Sequence, residues 1–472
     1  MLFCWSAGRA AVVDTGGFTV AIWSVPVNEM DSIGDHFDFV ANCFEAQDAQ
    51  SATAFLNACK ARGLSGLPGV DCTKLTDAAA LNSLVNGIKT HTSYAGLMLY
   101  DEPADPSQWC PGANAQQLQA AYTIIKNDDP VHPVFIDDWH TDLGTSNPMT
   151  ADKAAYDFFT DDNYIIQTGA TLADYRTVLN QYYSGAAPKA WLTLIQLHDM
   201  GGSEIFRMPT PLEERIITYM PVVAGTKGIM FYSFDSEAKA FANTTLWTYV
   251  KKLADELKTL KPVLAAPNLA NAVTISPATA KVWAAVKKYQ NDYYLVACNY
   301  AHTGTLDNTS GNPAPQAQSG IKFTITGLSS GSVVTIGSAG LGTSDAPGRS
   351  LTLSNGSFTD SFDPFAVNIY QITPGGSAVA YLGESHAAPF TVTLSPRTLT
   401  LGHLSAGAAS HVVRAELLNC LGRSVWRSGV QYVPLHVQTV SWSFEREPRP
   451  GVYVLRLMID DNESDRMRLT VN

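Results

Sequence analysis

Charge is what this sequence has least of. Of its 472 residues only 16% are Asp, Glu, Lys or Arg, against about a quarter in an average soluble domain, and Ser, Thr, Gly and Asn fill the polar positions instead. What charge there is leans acidic, 43 acids to 31 bases for a formal net charge of −12. Nucleic acids and anionic membranes are bound through a clustered basic face, so neither is an expected partner. Long apolar runs are missing too: none approaches the ~20 residues of a membrane span, and membrane insertion is not expected. Met1-Leu2-Phe3-Cys4-Trp5 lacks the basic region and long apolar stretch of a signal peptide. The weakly charged, Ser/Thr/Gly-rich composition nevertheless suits an extracellular or cell-surface protein. A truncated or mis-started reading frame is therefore the expectation, with a cytoplasmic protein as the other reading. The seven cysteines include no Cys-x-x-Cys pair, so no zinc site of that kind is expected. Their odd number forbids complete internal pairing; Cys72 and Cys110 are expected on adjacent loops, close enough to bridge. No glycine-rich phosphate loop follows the first apolar run, which argues against an open dinucleotide-binding sheet. No cofactor is expected.

What is present is an alternation. Between residues 18 and 263 there are eight short apolar runs: Thr19–Val25, Phe37–Phe44, Gly63–Val70, Ala95–Tyr100, Pro133–Ile136, Tyr156–Thr160, Ala190–Ile195 and Gly228–Phe234. Between them lie stretches of 3.6-residue periodicity, at Ala52–Arg62, Asp77–His91, Ala115–Asn127, Leu172–Tyr183 and Pro211–Ala224. The last opens Thr210-Pro211-Leu212-Glu213, with an N-cap, a proline in the first helical position and a capping-box Glu. Eight strands with helical crossovers predict a (β/α)₈ TIM barrel. After the helix Leu246–Lys261 the texture becomes Thr/Ser/Gly/Val-rich with short alternating strands. One or two all-β sandwich domains are expected: residues 264–373, a linker at 374–387, and 388–472. Residues 1–17 stay unassigned.

A barrel builds its active site from the loops at the carboxyl ends of its strands. In this chain those positions carry Glu45, Asp71, Asp101 and Glu102, then Asp137, Asp138, Trp139 and His140. They continue with Asp161, Asp162 and Asn163, then Gln196, His198 and Asp199, and finally Tyr232, Ser233, Asp235 and Glu237. Such a rim of carboxylates, amides, imidazoles and aromatic rings suits a carbohydrate. Glycoside cleavage requires one carboxylic acid to protonate the leaving oxygen and a second carboxylate opposite it. Sugar rings present apolar C–H faces to aromatic side chains and hydroxyls to polar ones. Asp71, Asp161 and Asp235 also suit helix capping, as strand-end acids often do. The adjacent acids of Tyr100-Asp101-Glu102-Pro103, directly after an apolar strand, are costly unless used.

The fourth-strand ending AGLMLYDEP (95–103), with KNDDPVHPVF (126–135), RMPTPLEE (207–214), GTKGIMFYSF (225–234) and LWTYVKKLADELKTLKPVL (246–264), resembles glycoside hydrolase clan A. The likeness is to its bacterial members with an Asp-Glu-Pro motif. It implies a glycosidase with Glu102 as general acid. The clan's Asn before that Glu is Asp101 here, and where its seventh strand ends in a nucleophilic Glu this chain has Gln196. A neutral amide cannot attack an anomeric carbon, so an inverting or atypical mechanism is expected, with Asp199 as base and Asp162, Asp235 or Glu237 as other candidates. The expected substrate-binding set is Asp101, Asp138, Trp139, His140, Asp162, Gln196, His198 and Tyr232. Two further readings are a non-catalytic glycan-binding barrel and a metal hydrolase using Asp137, His140, His198 and Asp199. Residues 264–373 resemble the sandwich often fused to such barrels. LGRSVW (421–426), PGVYVLRL (450–457) and RMRLTV (466–471) are similar to a type IX secretion sorting domain. That likeness implies a secretion-machinery partner.

Overall fold

The computed structural model describes residues 17–42, 48–99, 102, 113–138, 152–161, 163–166, 170–199, 207–234, 245–306, 313–374, 391–395, 398–402, 411–419, 423–433, 439–444, 451–459 and 462–471. The chain divides into two compact units, the first carrying residues up to 326 together with 334–350 and 359–371, the second the remainder.

All eight predicted barrel strands are present: β1 (Thr19–Trp23), β2 (Phe39–Asn42), β3 (Ser65–Pro68), β4 (Leu97–Met98), β5 (Val134–Asp138), β6 (Phe158–Asp161), β7 (Ala190–Gln196) and β8 (Gly228–Tyr232). Their hydrogen-bonded order is β3-β2-β1-β8-β7-β6-β5-β4, and β1 pairs in parallel with both β2 and β8. Single parallel bridges Gly66↔Tyr94 and Gly69↔Met98 join the two ends of that order. The sheet therefore closes in sequence order, as a (β/α)₈ barrel requires.

The helices start where local chemistry satisfies their first N–H groups. In α1 (Ala49–Ala61), Asp48 accepts from the Gln50 and Ser51 amides while Ser51 answers the Asp48 N–H. α2 (Ala78–Ile88) is capped by Asp77, α3 (Ala115–Asp128) by Asn114 and α4 (Leu172–Ala186) by Thr171. α5 (Pro211–Ala224) has the predicted Thr210–Glu213 box and ends on Gly225 at φ 109°, the left-handed stop. Helix α6 runs Thr245–Leu264.

Strand alternation separates two cores. Inward residues, including Ala21, Trp23, Phe39, Ala41, Leu67, Met98, Phe135, Phe158, Leu192, Leu194 and Met230, fill the barrel. Their outward neighbours, such as Val20, Ile22, Val40, Val134, Ile136, Phe159, Ile195 and Phe231, pack beneath the helices. The set of inward residues decides which strand-end side chains reach the mouth.

Ten strands follow the barrel: β9 (Val273–Ser276), β10 (Val282–Tyr289), β11 (Asp292–Asn299), β12 (His302–Thr303), β13 (Ala314–Pro315), β14 (Gln318–Ile325), β15 (Ser330–Ile336), β16 (Ser350–Ser354), β17 (Ser357–Phe362) and β18 (Val367–Pro374). Eight of them form a sheet ordered β10-β11-β18-β15-β16-β17-β14-β9, with antiparallel pairs such as β10 with β11. Within the first unit α5 is buried along almost its whole length among α4, α6, β7, β10 and β11. Arg215, on α5, is fully buried; it reaches Glu256 of α6 at 2.8 Å and Asp345 at 3.3 Å. Glu256 also accepts from the Tyr219 hydroxyl at 2.5 Å and the Ala339 N–H at 2.6 Å.

The second unit carries β19 (Thr391–Ser395) to β26 (Asn462–Val471). These form a three-stranded sheet, β19-β20-β24, and a five-stranded one in which β22, β21, β25 and β26 are neighbours and β23 pairs with β21. A TIM barrel followed by all-β structure is thus the architecture. Residues 1–16, residues 375–387 of the expected linker at 374–387, Cys110 and the side chain of Cys72 lie outside the described residues. No helix among the described residues is long and apolar enough to cross a membrane.

Candidate active site at the barrel mouth

Extending each inward series to the carboxyl end of its strand assembles the site. Phe135 leads to Asp137, Phe158 to Thr160, Leu194 to Gln196, Met230 to Tyr232, and Ala21 to Trp23. Tyr232 touches Trp23, with ring centroids 5.8 Å apart, and Tyr164, at 5.4 Å. His198 stands edge-on to both tyrosines, 4.6 Å from Tyr164 and 5.3 Å from Tyr232, at interplanar angles of 84° and 82°. The result is a cluster at the carboxyl end of the barrel in which Tyr164 and Tyr232 are half-buried and Trp23 and His198 are buried beside them.

His198 is only 1% exposed. Burial pushes its pKa down to about 4, and the opposing charge of Asp199 does not restore it. The ring is therefore neutral at neutral pH, with one nitrogen a donor and the other an acceptor. Neither nitrogen has a hydrogen-bond partner among the described residues. A buried polar group without a partner costs stability.

Gln196 has a different task. Its amide nitrogen donates to the carbonyls of His198 and Arg207, both at 3.1 Å, and clamps the two described ends of the loop after β7. The family resemblance sets this residue at the nucleophile's place; in the structure it fixes the segment that carries His198 and Asp199. Asp199 is half-buried beside His198. Glu102, also half-buried, follows β4 with φ at +47°. A non-glycine residue in the left-handed region is strained, and such strain gathers at functional sites.

Asp138 ends β5 one residue beyond Asp137. Alternation places it with the helix-facing set, 4% exposed. Asp101, Trp139, His140 and Asp162, and the alternatives Asp235 and Glu237, lie outside the described residues. Asp71 accepts from the Thr73 amide and hydroxyl and pairs with Lys74, the capping role its position allowed. Trp23 and Tyr164 were not among the expected site residues. Trp23 is hidden within an apolar run, and alternation alone would have marked it; Tyr164 sits in a loop with no period to follow.

Behind the wall, at the end of β6, Asp161 is fully buried. Burial pushes its pKa up to about 7, against smaller downward pulls from the Tyr182 hydroxyl and the Asn163 amide. Burial, and then the Glu213 charge, raise Glu214 on α5 as well. Both acids hold their protons more tightly folded than unfolded; for Asp161 the stability this contributes is complete below about pH 4 and is lost as pH rises through about 7. Asp161→Asn is expected to remove part of this slope: urea titrations between pH 4 and pH 8 should show a shallower decline in the variant. An unchanged slope would mean that Asp161 is already ionised in the folded protein.

No family model and no curated protein matches the sequence. Among solved structures the chain is similar to an α-L-arabinofuranosidase from Thermotoga maritima, at 9% identity and a TM-score of 0.41, over 68% of this chain and 78% of that one. It is also similar to a cycloisomaltooligosaccharide glucanotransferase of Paenibacillus sp. complexed with cycloisomaltoheptaose, at 8% identity and a TM-score of 0.47, covering 74% and 84%. A third is a putative α-L-fucosidase from Bacteroides thetaiotaomicron, at 10% identity and a TM-score of 0.38, covering 54% and 99%.

Proposed function

We propose that the barrel mouth binds a glycan and hydrolyses it with inversion, Glu102 acting as general acid and Asp199 as general base. The observation that carries the carbohydrate reading is His198, a buried neutral imidazole with two unengaged nitrogens set edge-on between Tyr164 and Tyr232. Hydroxyls satisfy such a ring, and the C–H face of a pyranose suits the neighbouring aromatics. In the reaction Glu102 gives its proton to the glycosidic oxygen as the bond to the anomeric carbon breaks. Asp199 takes a proton from a water that attacks that carbon from the opposite side. Inversion needs room for this water, a carboxyl separation of about 6.5–9.5 Å. Gln196 supports the assignment by holding the loop that presents Asp199. The sorting-domain likeness of residues 388–472 makes the outside of the cell the proposed place of action.

The test is turnover and affinity across a panel of neutral oligosaccharides, for wild type and His198→Phe. A released reducing sugar of inverted configuration is expected, with substrate affinity in His198→Phe weaker by about tenfold. Binding without turnover would turn the reading into a glycan-binding barrel. Neither binding nor turnover on any member would overturn it.

A further inference from the structure

The first unit carries a second hollow, away from the mouth, between α4 and the first strands of the β region. Its volume is about 760 Å³ and it is open to solvent. Two cations line it, Arg176 and Lys281, and among the described residues no carboxylate does. In a chain with a net charge of −12 that is an unusual place. The Arg176 guanidinium lies over the rings of Trp283, at 5.4 Å, and Tyr300, at 5.6 Å, and donates to the Tyr300 hydroxyl at 2.9 Å. Stacking and one hydrogen bond fix the fork while leaving N–H groups unspent, the arrangement suited to a planar oxyanion. No ion pair holds either cation among the described residues.

The polar fringe specifies the rest of the ligand. Thr177 spends its hydroxyl proton on the Ala173 carbonyl, Ser184 on that of Asn180, and Asn180 donates its amide to the carbonyl of Arg176. Thr177 and Ser184 have spent their hydroxyl protons and keep lone pairs, and Asn180 keeps its amide oxygen and one N–H, so the fringe is mainly a set of acceptors for hydroxyl donors. We infer that the hollow binds a polyhydroxylated anion, a saccharide bearing a carboxylate or sulfate. The volume exceeds what one oxyanion fills and admits a sugar ring or two. This inference uses no residue of the mouth and stands apart from the hydrolytic reading.

Calorimetric titration of the full chain with a uronic-acid tetrasaccharide, a sulfated oligosaccharide, a neutral oligosaccharide of the same length and inorganic sulfate tests it. Saturable binding of at least one acidic saccharide is expected, weakened by added salt. Affinity should fall by about tenfold in Lys281→Ala and in Arg176→Gln. Lys281 is exposed, so that variant separates loss of the ligand from loss of the fold. The acidic arm that binds identifies carboxylate or sulfate as the group recognised. Equal binding of the neutral chain, binding of inorganic sulfate with no gain from the sugar, or unchanged affinity in Lys281→Ala would each overturn the inference.

Discussion

Replacing Glu102 by Gln is expected to lower glycan turnover by about 10²–10⁴-fold, the usual cost of losing a general acid, with little change in substrate affinity. The isosteric amide keeps the shape of the side chain and removes only its transferable proton. Position supports the assignment first, because the residue follows β4 at the carboxyl end of the barrel. Its backbone supports it next: φ at +47° is a conformation that glycine or asparagine would adopt at less cost, and the chain keeps a glutamate there. The loss should also depend on the leaving group. An aryl glycoside whose phenolate departs without protonation should be cleaved by the variant much closer to the wild-type rate than an oligosaccharide. Equal impairment on both substrates, or full turnover of an oligosaccharide by the variant, would remove Glu102 from the acid role. An Asp199→Asn variant should slow both substrates alike, since the attacking water needs its base in either case.

The largest expected effect on stability lies at Arg215. Arg215→Met strips the counter-charge from Glu256 and Asp345, both 1% exposed on their side chains, and should destabilise the first unit by about 3–5 kcal/mol. The cost comes from the carboxylates left behind more than from the attraction lost. A charge-matched replacement is therefore informative: Arg215→Met combined with Glu256→Gln and Asp345→Asn should recover much of the loss, because three neutral side chains leave no buried ion. Chemical denaturation followed by tryptophan fluorescence reads both proteins. If the triple variant were less stable than Arg215→Met alone, the network would be stabilising as a set of ions and the desolvation argument would fail. Both oxygens of Glu256 accept, from the Tyr219 hydroxyl and the Ala339 N–H, as do both of Asp345, from the Leu341 and Gly342 N–H groups, so each amide of the triple variant forfeits one acceptor and the recovery is expected to be partial.

Much of the barrel was legible in the sequence because its signals are local. Apolar runs bounded by turns locate all eight strands, and Thr210-Pro211-Leu212-Glu213 locates the start of α5 to the residue. The start of α1 is less legible. The periodicity begins at Ala52, whereas the helix begins at Ala49, because Asp48 and Ser51 cap it from a polar stretch with no apolar beat. The fourth strand is shorter than its run suggests, only Leu97–Met98. In the site, strand alternation was the unused signal. Counting by twos from Phe135 selects Asp137 for the mouth and sends Asp138 to the helices; counting from Ala21 selects Trp23. Gln196 shows the opposite difficulty. Set against the resembling family it reads as a missing carboxylate, and only its contacts with His198 and Arg207 show a clamp. Tyr164 could not be placed from the sequence, since its position depends on how the loop after β6 folds over Tyr232.

The join between β3 and β4 gives the ring of strands a clasp rather than a weld. Elsewhere neighbouring strands share continuous ladders, but here two isolated bridges hold the circle shut, together with bonds such as Val70 N–H to the Met98 carbonyl at 2.9 Å. Glu102 hangs a few residues beyond that clasp. Regions with few shared hydrogen bonds open at lower free energy than the structure as a whole, so this seam is expected to open before the rest of the wall. With Glu102 as the proposed acid, warming is expected to dull the protein as a tool before it spoils it as an object, and a cross-brace between these two strands should bring those two temperatures together.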